Sequence, residues 1–164
     1  MRFAPAAAAL SLFLATTASM SSAGEPKADP RAEMLISQGE MALEAGDTQG
    51  AIDAFEAALA VDPDYTPILL NLAEAARQDG LQGKAIRYYR EALNRNPDYF
   101  AAISGEGEAL VEKGAIEKAE RNLARLESLC GQSCPETRAL QARIAAGPPA
   151  RLAADTVEDG AASN

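Results

Sequence analysis

Histidine and tryptophan are absent from this chain, and aromatic residues make up only 5% of it. Without histidine, the commonest general base and metal ligand is gone. Catalysis would have to rest on carboxylates, lysine or the two cysteines. Valine and isoleucine are sparse, and no segment alternates apolar with polar residues as a half-buried strand does. A glycine-rich phosphate loop and a serine-nucleophile motif are both missing. Positive charge is also short: the formal net charge is −9, which disfavours nucleic acid and anionic membrane surfaces as partners. Cys130 and Cys134 have three residues between them, where a thiol oxidoreductase has two beside a βαβ pattern. Two thiols without histidine fall short of a metal site and of a c-type haem attachment. No cofactor, no metal and no catalytic residue is expected.

What is present is alanine and leucine in helical quantity. The length of 164 residues suits one domain with a modest core. Met1-Arg2, the apolar stretch from Phe3 to Ala18 and the small residues Ser21-Ser22-Ala23 follow the order of a secretory signal peptide. The apolar stretch is shorter than the roughly 20 residues that span a bilayer. Cleavage near Ala23 is expected, giving a periplasmic or secreted chain with no stable membrane insertion and a charge of −10. Outside the cytosol cysteines tend to pair.

The rest of the chain repeats at a 34-residue interval. Gly39, Ala73 and Gly107 are in register, as are Gly46, Gly80 and Gly114, and Ala51, Ala85 and Ala119. Phe55, Tyr89 and Leu123 follow, then Ala58, Ala92 and Leu126, and Asp62-Pro63-Asp64-Tyr65 returns as Asn96-Pro97-Asp98-Tyr99. Each unit holds two helical patterns. A glycine stands where the first helix needs a left-handed end, and Pro63 and Pro97 stand where the second must stop. This pattern resembles the tetratricopeptide (TPR) family over about residues 32–131. The resemblance implies an all-α right-handed solenoid of helical hairpins with no catalysis of its own. Gln38 and Glu106 depart from it, standing where the family prefers leucine.

The expected organisation is a signal peptide over 1–23, a lead-in over 24–31 and repeats over 32–65, 66–99 and 100–133. A capping helix over 134–146 and a small, acidic tail over 147–164 with little to bury complete it. Asp29-Pro30 is a helix start, and Cys134 or Ser133 can cap the last helix with Pro135 in its first turn. A disulfide between Cys130 and Cys134 would replace the Asp-Pro turn of the earlier repeats. A thiol redox protein or sensor using the same two residues is the alternative, and a structural subunit of an envelope complex is a third.

The resemblance also implies a concave groove lined by the first helix of each repeat. Its positions read Glu40, Glu74 and Glu108; Ile36, Leu70 and Ser104; Leu43, Arg77 and Val111; with Glu33, Glu44 and Glu112 beside them and Asn71 as a main-chain contact. Chaperone-binding members clamp a C-terminal carboxylate with lysine, arginine and asparagine, and only Asn71 and Arg77 remain of that set. The expectation is therefore an acidic groove with apolar spots at Ile36, Leu70, Leu43 and Val111. It would bind a protein or peptide with basic and apolar residues. Otherwise the glutamates are a solvated face. As a ladder of like charges, Glu40, Glu74 and Glu108 should be replaceable by glutamine without loss of stability.

Overall fold

A computed structural model describes residues 27–149, so the expected signal peptide and most of the acidic tail lie outside the described residues. The described residues form helices α1 (Pro30–Glu44), α2 (Thr48–Val61), α3 (Pro67–Gln78), α4 (Gln82–Arg95), α5 (Phe100–Glu112), α6 (Ile116–Cys130) and α7 (Pro135–Ala146), with no strand among them. α1 packs on α2, α3 on α4 and α5 on α6, and each hairpin stacks on the next; α7 closes the end against α5 and α6.

Local sequence explains the breaks. The Asp29 carboxylate accepts from the Arg31 N–H at 2.8 Å, and Pro30 opens α1. Gly46, Gly80 and Gly114 have φ of 79°, 78° and 80°, a region that a side chain penalises, and they turn the chain from each first helix into the second.

Phe55, Leu69, Leu72, Ile103, Leu126 and Leu140 are fully buried and carry the core along the array. Alanines between them let helices approach closely. Position 107 has no room for more: a Cβ there would stand 2.6 Å from Leu140 of α7. The last cluster joins Ile103, Leu126 and Leu140, with Cys130 packed against it.

Two departures from the family pattern behave differently. Gln38 is exposed on α1. Glu106 is buried, and its carboxylate accepts from Arg90 Nε at 2.6 Å and Asn122 Nδ2 at 3.1 Å. A buried carboxylate is tolerated because it is paired and hydrogen-bonded. The expected groove spot at Val111 is a correction: its side chain is fully buried in the core and offers nothing to a ligand.

Candidate binding groove

One concave space of about 490 Å³ lies between α3, α5 and α7. Leu70, Asn71, Glu74 and Arg77 line it from α3, and Ala101, Ser104, Gly105 and Glu108 from α5. α7 adds Pro135, Glu136 and Ala139, with Tyr89 of α4 at the base. Helical spacing explains the first two sets, since residues three and four apart share a face. The structure thus brings together Leu70, Asn71, Glu74, Arg77 and Glu108. Ile36, Glu40 and Leu43 do not line this space. Ile36 and Leu43 pack instead against the core of the first hairpin, and Glu40 is exposed.

Arg77 organises the charges. Its guanidinium meets Glu74 at 2.9 Å, Glu108 at 3.0 Å and Glu112 at 2.6 Å. Burial is the largest single influence on Arg77 and opposes its charge, but the hydrogen bond to Glu112 together with the charge of Glu74 and the contact with Tyr89 outweigh it and hold the pKa above its ordinary value. Arg143 of α7 approaches Glu112 at 3.5 Å, so the network fastens the capping helix as well. Ser104 Oγ lies 3.2 Å from the Glu136 carbonyl and 3.3 Å from Glu108. The ladder expectation needs correction here. Glu74 and Glu108 are partners of one largely buried arginine, not free like charges, so changing them to glutamine removes attraction from the fold.

Two profiles of the tetratricopeptide repeat match the sequence, one at residues 27–66 and 36–100, the other at 78–144. This is a tetratricopeptide repeat protein. Among curated proteins no sequence matches. Solved structures similar to it include the Sgt2 TPR domain from Aspergillus fumigatus, at 25% identity and a TM-score of 0.64, covering 73% of this chain and 82% of that one. The first TPR domain of Spaghetti (RPAP3), bound to an HSP90 peptide, gives 22% identity and a TM-score of 0.63 over 73% and 98% of the two chains. The Yersinia enterocolitica type III secretion chaperone SycD, in complex with a peptide of the translocator YopD, gives 23% and 0.60 over 70% and 86%.

The TPR array's groove has a closely packed floor. Gly105 packs against Tyr89 with no space for a Cβ. Burial pushes the Tyr89 hydroxyl up to about 12, so it stays a neutral donor at any physiological pH.

The wall formed by α7 begins at the cysteines. The Cys130 and Cys134 sulfurs stand at disulfide distance, with Cα atoms 5.7 Å apart. Cys134 is buried and is the N-cap residue of α7, next to Pro135 and Glu136 of the groove. Together with Glu136 these residues place three potential ligand atoms within 4.8 Å of one another. Sulfurs bonded to each other offer no thiolate to a metal. Replacing both cysteines by serine should lower stability by about 2 kcal/mol, because the closed loop is short. Chemical denaturation measures the loss, and thiol titration of the denatured, unreduced protein should find no free thiol.

Sequence reasoning missed the contribution of Tyr89, Pro135, Glu136 and Ala139. Leu140 and Ile144 stand four positions apart in the sequence and so share an apolar face of α7. Nothing in the sequence said that its first turn would stand opposite α3.

Proposed function

We propose that this TPR protein is an exported, non-catalytic scaffold that holds an extended segment of another protein in the groove between α3, α5 and α7. The segment carries lysine or arginine together with apolar side chains. The observation that carries this reading is the state of Arg77. Among the described residues it is the sole cation lining the groove, and three glutamates already occupy it. An acidic peptide terminus would find no free cation there. A basic segment would find Glu74, Glu108 and Glu136, with Leu70, Ala101 and Ala139 for its apolar groups. Peptides are bound by the RPAP3 domain and by SycD, whose fold this chain shares.

Fluorescence anisotropy with paired peptides tests the proposal. A Lys/Leu-containing peptide should bind at least about tenfold tighter than its Glu/Leu counterpart at low salt, and the difference should shrink as salt rises. Equal binding, or preference for the acidic peptide, would overturn it. The export reading rests on the order of charge, apolar run and small residues in 1–23. N-terminal sequencing of the mature protein should find a start near Gly24.

A further inference from the structure

A second cavity, of about 210 Å³, lies on another part of the array, between α4, α5 and α6. Among the described residues it is lined by Arg90, Lys113 and Lys118, with Gly83, Ile86, Leu110 and Ala115 completing it, and by no carboxylate. In a chain of net charge −9, three cations around one cavity are unusual. Lys113 and Lys118 have no ion-pair partner among the described residues; Arg90 is held by Glu106 at 2.6 Å.

The internal repeat shows what such a place looks like when an anion fills it. One unit earlier, the equivalents of Arg90, Lys113 and Lys118 are Glu56, Asp79 and Lys84. There Glu56 pairs with Lys84 at 3.2 Å. Asp79 accepts from Thr48 Oγ1 at 2.6 Å and from Gln49 Nε2 at 2.5 Å, which sets a carboxylate over the first turn of α2. At the second junction both carboxylates are replaced by cations, and Gln49 is replaced by Gly83. The Lys113 ammonium lies 4.0 Å from where a Gly83 Cβ would be, over the first turn of α4. That turn has no acidic residue and no side-chain cap. An ammonium therefore occupies the positive end of a helix, where the earlier repeat has a carboxylate.

We propose that this cavity binds a phosphate-class oxyanion, free or as the monoester of a small organic molecule. The anion takes the place that Glu56 and Asp79 carboxylates hold one repeat earlier. It bridges Lys113 and Lys118 and accepts from the first N–H groups of α4, which have no partner within the helix. Two uncompensated ammonium groups and a helix terminus match a dianion better than a single carboxylate. The volume is roughly seven times the 30 Å³ share of a liquid water, which leaves room for a small substituent on the phosphate.

The experiment is a titration of the ¹⁵N-labelled full chain at constant ionic strength with inorganic phosphate, glycerol phosphate and acetate, each against chloride. Phosphate should give saturable amide shifts confined to Gln82, Gly83 and the segment from Lys113 to Lys118. Lys113→Gln and Lys118→Gln should each weaken binding about three- to fivefold, and about tenfold together. Gly83→Asp, which supplies a carboxylate from the chain itself, should abolish it, while Lys84→Gln at the first junction should leave it unchanged. Tighter binding of glycerol phosphate identifies a monoester as the source, and equal binding identifies free phosphate. Shifts that acetate or chloride reproduce, or that survive the double lysine variant, overturn the proposal.

Discussion

Arg77→Met should destabilise the protein by about 2–3 kcal/mol. Only 14% of the Arg77 side chain is exposed, and the Glu112 side chain it meets at 2.6 Å is 12% exposed. Removing one partner of a largely buried pair leaves an uncompensated charge, which costs more than the pair's net contribution. Here it leaves three carboxylates facing one another. Urea denaturation measures the loss, and a double-mutant cycle with Glu112→Gln separates the pair from its surroundings, since the double variant should regain part of the stability. A change below about 0.5 kcal/mol would mean that solvent screens the network as it does ordinary surface pairs. The same variant should bind the basic peptide more tightly, because the groove carboxylates lose their internal cation. Stability and affinity are thus expected to move in opposite directions.

Leu140→Ala should cost about 3 kcal/mol, the usual range for emptying a fully buried leucine site being about 2–5 kcal/mol. Leu140 is fully buried beside Ile103 and Leu126 and lies against Gly107. Each unit of a solenoid contacts only its neighbours, so the loss should appear first as detachment of α7 and not as collapse of the array. Hydrogen exchange should show α7 amides losing protection while those of α3 and α4 keep theirs. Affinity for the basic peptide should fall at least about tenfold, since Pro135, Glu136 and Ala139 leave the groove with the helix. Uniform loss of protection across all helices would show that α7 is part of one cooperative unit.

The fold was legible because its determinants recur. A positive φ at 46, 80 and 114 demands glycine at each hairpin turn, and the 34-residue register repeats that demand where one instance alone would be ambiguous. The groove was legible only in its middle. Leu70, Asn71, Glu74, Arg77 and Glu108 follow from helix periodicity and lie together. Pairing was not legible, because Arg77 and Glu112 are 35 positions apart and meet through the stacking of two repeats. Val111 was misread because a family position predicts a helix face and not its burial, and on α5 that position packs into the core shared with α3, α4 and α6. Glu106 reads as a defect in sequence, yet Arg90 and Asn122 supply the partners that make it a buried polar link.

The two ends of the array are finished differently, and this gives the molecule a mechanical direction. On α3, Ile68, Leu72 and Ala75 are fully buried; the matching positions on α1 are Met34, Gln38 and Met41, of which Met34 is 69% and Met41 63% exposed. Among the described residues α1 therefore has a neighbour on one side alone, whereas the far end is held by α7, the Arg143–Glu112 contact and the cysteine pair. Under tension applied through its termini, such a chain opens from the weaker end. The first hairpin should extend at the lowest force, with the groove still assembled behind it. A load carried by the N-terminal segment would then lengthen the protein before it released whatever the groove holds.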